Sequence, residues 1–310
     1  MKTRKRHIPI FTSVTNDNLP HLIVTLKSIS EYLDEECIID ARVLTAGLAA
    51  YNQRKLRHVK LFNVEITIVD INSRVEDCRA DLEERLGSFY GEESFYPFFI
   101  ADMYPRLARA MYVSCGTLVR EDIEKLYHAD IGGDLIGGMR RTDGFEDQLE
   151  LYRRTWVGID EERYVDTSVL LMNLSLFRKY RIESRFTRLL MGYNFDTVSA
   201  ANDYMNFLCK RHVSILNDEW RREDGTDGIV SFAPYRLPWH YVSIPYADEF
   251  WDVARTTPLY DDVRSCYCDF NDEEKDRATK ALDAMIAHAQ RLAAEDGGFS
   301  KVLGDNYLIE

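Results

Sequence analysis

Short runs of β-forming apolar residues alternate with amphipathic helical stretches along most of this chain, and that alternation restricts its fold more than any other feature. IPIFTSV (Ile8 to Val14) leads through the polar TNDN into a helix whose apolar face is Leu19, Leu22, Ile23, Leu26, Ile29 and Leu33. CIIDARVLT (Cys37 to Thr45) and VEITIVDI (Val64 to Ile71) read as further strands, separated by the helical LAAYNQRKLRHVK. Strands joined through helices must cross over, so they pair in parallel and are covered on both faces. The predicted class is α/β, with a mostly parallel mixed sheet flanked by helices.

The pattern continues through an aromatic helix around FYPFFIADMY, the strand AMYV, the helix EDIEKLYHA and the strand DLIGGM. From Arg140 to Arg163 the charges and aromatics lose any clean period, which predicts a long surface loop or lid. TSVLLMNLSLFRKY then passes from a buried strand into a helix, ANDYMNFLCKR is helical, and HVSILN and GIVSFA are short strands. After Asn271 the acidic first turn NDEEKD opens a helix with Ala278, Ala281, Leu282, Met285, Ile286, Ala289 and Leu292 on one stripe. The expected organisation is one large domain over residues 1–260 and an amphipathic helical extension over 261–310.

Charge and cysteine usage narrow the function. Lys and Arg total 39 against 52 Asp and Glu, a net charge of −13 that repels polyanions and argues against nucleic acid as a partner. The basic start MKTRKR precedes too short an apolar run for a secretory signal, and no run approaches the ~20 apolar residues of a membrane span. The six cysteines, Cys37, Cys78, Cys115, Cys209, Cys266 and Cys268, form no C-x-x-C pair. A cytoplasmic location with free thiols is the expectation.

Where AMYV ends, the chain reads Ser114, Cys115, Gly116 before the next helix. Strand ends that open on a cleft are where α/β proteins place their chemistry, and here they offer a hydroxyl, a thiol and no side chain. Four blocks in order surround this point: IPIFTSVTNDNLPHLIVTLKSI, YPRLARAMYVSCGTLVREDIEKLY, YVDTSVLLMNLSLFRKY, and SFAPYRLPWHY followed by FWDVARTTPLY. In these blocks the chain resembles glycosyltransferase family 8 over residues 7 to 260. The resemblance implies a GT-A (Rossmann-like) fold and, in active members, retaining transfer of a sugar from a nucleotide sugar with a divalent metal.

That resemblance holds for apolar and turn positions and fails at the donor site. The family's metal-binding Asp-x-Asp falls on Ser114 and Gly116, and a hydroxyl without carboxylates is a poor ligand for a hard cation. In the family's late H-F-x-G-x-x-K-P-W block, the His falls on Ser231, the Gly on Pro234 and the Lys on Leu237, while Phe232, Pro238 and Trp239 match. The uracil-holding S-D-D-N-Y becomes Val14, Thr15, Asn16, Asp17 and Asn18, which removes the stacking ring. An arginine near the donor falls on Pro97, the Asn-Ala-Gly facing sugar and acceptor falls on Asp166, Thr167 and Ser168, and the acidic-Gln-Asp triplet on Ala201, Asn202 and Asp203.

Two readings follow. The first is a pseudo-glycosyltransferase that keeps the scaffold, lacks metal-dependent donor chemistry and acts by association with itself or with an active glycosyltransferase. The second is a metal-independent enzyme that transfers a hexose to a glycan or lipid-linked acceptor, with arginines clamping the diphosphate. Candidate clamps are Arg140, Arg141, Arg236, Arg221 and Arg222, with Arg109 read as structural. The candidate catalytic acids are Asp166 and Asp203, and the donor-site positions are Thr15, Asn16, Asn18, Ser114, Gly116, Ser231 and Arg236. No metal ligands and no cofactor are expected, and a UDP-sugar with Mn or Mg only if the family activity survives. Phe145, Leu149, Leu151, Tyr152 and Trp156 in the charged excursion supply the expected association anchors, unless they fold under a lid.

Overall fold

A computed structural model describes residues 5–140, 146–304 and 307. Its strands are β1 (Arg6–Ser13), β2 (Cys37–Thr45), β3 (Val64–Asp70), β4 (Arg109–Val113), β5 (Leu118–Val119), β6 (Ile136–Arg140), β7 (Val165–Asn173), β8 (Val213–Ile215) and β9 (Ile229–Val230). The helices that matter below are α1 (Leu19–Glu31), α2 (Glu146–Tyr152), α3 (Ala200–Cys209), α4 (Ala247–Arg255) and α5 (Asp272–Ala293). The chain divides into two compact units, residues 1–73, 110–130 and 217–274 forming the first and residues 74–109, 131–216 and 275–310 the second.

In the first unit β1 pairs in parallel with β2 from Arg6↔Cys37 to Ser13↔Leu44, β2 with β3 from Ile39↔Val64, and β1 with β4 at Ile10↔Met111 and Phe11↔Tyr112. This is the crossover arrangement that the alternation predicts. β1 is buried from Ile8 onward because it lies between two other strands, whereas β3 alternates between half-buried and exposed residues. α1 buries Leu19, Leu22, Ile23, Leu26 and Ile29, and Pro20 stands in its first turn, where its missing N–H leaves no bond unmade. A small antiparallel pair, Leu118↔Val230 and Val119↔Ile229, ties the segment after β4 to the segment that opens at β9.

The second unit pairs β6 antiparallel with β7 and parallel with β8, with an irregularity between Gly138 and Arg140. The charged excursion differs from its reading as a loop: it contains α2, a π-turn over Arg153–Val157 and a 3₁₀ turn over Glu161–Arg163. Tyr152 and Trp156 are 1% and 4% exposed, so neither is a surface anchor. Trp156 donates its indole N–H to the Asp196 carbonyl at 2.8 Å, and a buried tryptophan with that bond satisfied is a core residue. Composition alone points to the surface here, because no 3.6-residue period marks a segment that changes helix type midway. Phe145 and Arg141 lie outside the described residues.

The aromatic stretch before β4 is 3₁₀ over Glu92–Phe99, with Pro97 inside it, and becomes α-helical only over Ile100–Met103. α5 opens on a capped acidic first turn as predicted, with Asn271 Oδ1 accepting from the Glu273 and Glu274 amides. Ala289 and Leu292 on its stripe are buried. Among the described residues no helix is long and apolar enough to cross a membrane.

A half-buried acid in the second unit, Glu183, makes stability depend on pH. Burial, with Asp102 adding to it, raises the Glu183 carboxyl from 4.5 to about 7, although Arg74 stands 3.3 Å away. A folded pKa above the unfolded one means that folding retains a proton, so this contribution is full below about pH 4.5 and is lost as pH rises through 7. Glu183→Gln is therefore expected to raise stability at pH 8 by roughly 1–3 kcal/mol and to change it little at pH 4.5. Urea melts at the two pH values measure this, and an equal shift at both would contradict it.

Candidate functional site

The strand end after β4 is assembled within the first unit. Cys115 donates its thiol to the Ser13 carbonyl at 2.9 Å and lies 3.9 Å from the Thr12 hydroxyl, while Tyr112 donates to the Ser13 hydroxyl at 3.1 Å. These bonds stitch the end of β4 to the end of β1. Ser114 Oγ sits 3.4 Å from Thr117 Oγ1, so its hydroxyl has a local partner. The Gly116 amide donates to Thr25 Oγ1 at 3.0 Å and the Val119 amide to Ser28 Oγ at 3.0 Å, which fastens the turn to α1.

Gly116 has φ +84°, a left-handed conformation that side chains resist, and its empty side is occupied. A Cβ at this position would press on Cη2 of Trp239 and lie 2.7 Å from its Cζ3, inside van der Waals contact. Trp239 in turn packs with Val24, Phe250, Trp251, Ala254 and Val263, with Phe232 and Leu237 at the edge of that cluster. Below the indole is His21, whose ring stacks on it at 3.7 Å between centroids and 16° between planes. His21 is 3% exposed, and neither ring nitrogen has a hydrogen-bond partner. Burial, with His240 adding to it, lowers its pKa to about 3, so the ring is neutral.

These residues do not fit a divalent cation. The first position offers a hydroxyl engaged with Thr117, the second is a glycine facing a hydrocarbon ring, and the third is Ser231, half-buried beside β9. Among the described residues no group of three or more His, Cys, Asp or Glu side chains is placed to hold a metal.

The loop after β1 is committed to its own shape. Asn18 Oδ1 accepts from the Thr15 amide at 2.8 Å, and Asn16 bridges to another loop through the Gly47 carbonyl, the Ala49 amide and Asn52. Asparagine is suited to this because it both donates and accepts within one turn. Of the arginines, Arg236 is exposed and Arg222 donates to the Arg120 carbonyl at 2.9 Å. Arg120 itself is 8% exposed and is held by both oxygens of Glu249, so it is structural.

Asp166 and Asp203 lie in the second unit, in a network between β7 and α3. Asp203 is fully enclosed, with 0% exposure, and accepts from Tyr164 at 2.7 Å, Tyr152 at 2.8 Å and the Ser199 amide at 3.1 Å. Burial raises its pKa to about 6, against the pull of those hydrogen bonds and of Arg153, whose guanidinium lies 4.6 Å over the Tyr164 ring. Asn202 Oδ1 takes both the amide and the hydroxyl of Thr167, at 3.0 and 2.7 Å, and Asn206 brackets the Val165 backbone from both sides. Asp166 is buried and accepts the Ser168 amide at 2.9 Å. Sequence reading had missed Tyr152, Tyr164 and Asn206 as members of this network and His21 as the partner of Trp239. A histidine on the apolar face of α1 was the one available signal for the latter.

The parallel crossovers among β1, β2, β3 and β4, with β6 and β7 antiparallel, define an α/β scaffold of the glycosyltransferase GT-A type. The family model described as glycosyl transferase family 8 matches residues 9–222, which is more than half of the chain. The chain belongs to glycosyltransferase family 8. It is 23% identical over 283 residues to General stress protein A of Bacillus subtilis (strain 168), covering 82% of this chain and 96% of that protein. Among solved structures, the bifunctional glycosyltransferase WbbM superposes with TM-score 0.66 at 14% identity over 86% of this chain, which spans about half (52%) of WbbM. The galactosyltransferase LgtC, solved with donor and acceptor sugar analogues, gives 0.62 at 17% identity over 81% of this chain and 96% of its own. GlyE of Streptococcus pneumoniae TIGR4 gives 0.60 at 12% identity over 85% of this chain and 64% of its own. At these identities the superpositions establish the GT-A fold, a mostly parallel mixed sheet flanked by helices.

Proposed function

We propose that this chain is a family 8 glycosyltransferase scaffold without metal-dependent donor chemistry, and that it acts by association, with itself or with an active glycosyltransferase. The observation that carries the reading is Trp239 filling the space beside Gly116. A nucleoside diphosphate leaving group needs its developing charge neutralised, and a hydrocarbon ring at the place of a ligand supplies none of that. Asp203 fits the same reading as a fixed acceptor for two tyrosines and a backbone amide, because an enclosed carboxylate held by three hydrogen bonds is a packing element.

The alternative, a metal-independent transferase, is favoured by the exposure of Arg236 three residues from Trp239, where a guanidinium could meet phosphate oxygens. Arg222 contributes less, since it already serves the Arg120 carbonyl. Turnover assays with a panel of UDP-sugars separate the two readings: no hydrolysis or transfer with or without manganese is expected. Metal-independent turnover that Arg236→Ala reduces tenfold or more would establish the alternative. Light scattering and a pull-down from native cells test association. A monomer that recovers no partner would refute that part of the proposal.

A further inference from the structure

The turn at Gly116 and the ring of Trp239 are positioned by one helix. Thr25 of α1 accepts the Gly116 amide, and His21, one turn earlier on α1, stacks on the indole. A helix is stiff over one turn, so the spacing between strand end and indole is set by α1 itself. On the far side the indole meets Phe250 at 5.5 Å between ring centroids, and the neighbouring backbone is fixed by the Trp251 indole N–H donating to the Pro238 carbonyl at 3.0 Å. The ring is therefore enclosed by Gly116, His21 and Phe250.

We infer that Gly116, Trp239 and His21 form a lock that keeps the strand end shut, with His21 as the positioning residue that holds the indole against the glycine. Two buried imidazole nitrogens without partners are unfavourable, so packing must hold this ring in place, and what it packs against is the indole. The inference deepens the reading of a scaffold without metal chemistry and rests on it for the meaning of the site. It adds that ligand loss and steric closure are separate barriers. Restoring carboxylates at 114 and 116 leaves the second barrier standing, because Trp239 occupies the space that a side chain at 116 would enter.

A mutant cycle read by melting temperature tests the lock without any ligand. Gly116→Ala is made in the wild type and in the Trp239→Leu, His21→Leu and His21→Phe backgrounds. The drop caused by Gly116→Ala is expected to be at least halved by Trp239→Leu and by His21→Leu, since the wall is gone or free to move. It should stay at full size with His21→Phe, which keeps a ring stacked on the indole. An equal drop in every background would overturn the inference, because the penalty would then be backbone strain alone. A drop relieved equally by His21→Phe and His21→Leu would overturn the positioning role. If Trp239→Leu fails to fold, the two His21 backgrounds still decide. The cycle never uses nucleotide, so it can fail while the turnover assays uphold the proposed function, and the reverse.

Discussion

Gly116→Asp is expected to destabilise the protein by roughly 3 kcal/mol, the sum of forcing a side chain into a left-handed turn and overpacking a filled site. The turn has φ +84° and the carboxylate would be driven into the Trp239 indole, away from water and without a cation. Ser114→Asp should be much milder, because Ser114 is half-buried and its hydroxyl has only a local bond to Thr117. The double variant is accordingly expected to be less stable than wild type and to show no transfer from any UDP-sugar. Denaturant melts and a transfer assay check both parts. A double variant as stable as wild type, or one that turns over a donor, would contradict the account of this strand end.

Asp203→Ala is expected to cost about 3–5 kcal/mol, because it leaves the Tyr152 hydroxyl, the Tyr164 hydroxyl and the Ser199 amide without their common acceptor in a buried site. Asp203→Asn keeps the shape and one acceptor oxygen, so its loss should be smaller. Urea unfolding of the three proteins at pH 7 measures the series. A change below about 1 kcal/mol for the alanine variant would mean that water or rearrangement replaces the carboxylate, and that the network does not hold β7 to α3.

The fold was legible where burial is two-sided or strictly one-sided. β2 is bounded at Cys37 and Thr45 as its β-rich run predicts, whereas α1 begins at Leu19 as its stripe predicts but ends at Glu31, before Leu33. The excursion was not legible. Its π-turn and 3₁₀ turn break the period, and the burial of Tyr152 depends on Asp203, which is distant in sequence. At the strand end the resemblance aligns Ser114 and Gly116 with the family's ligand positions. The contact of Gly116 with Trp239 was not legible, since it joins residues 123 positions apart and leaves no local pattern.

On the proposed reading, the strand end has lost the means to bind a metal-bound diphosphate. Isothermal titration of UDP into the purified wild-type chain, with and without manganese, tests it most directly. The account predicts the same weak or undetectable heat in both titrations and no manganese-dependent rise in melting temperature, because a ligand that binds the native state must stabilise it. Manganese-dependent tightening of UDP binding by tenfold or more, lost in Ser114→Ala, would contradict it.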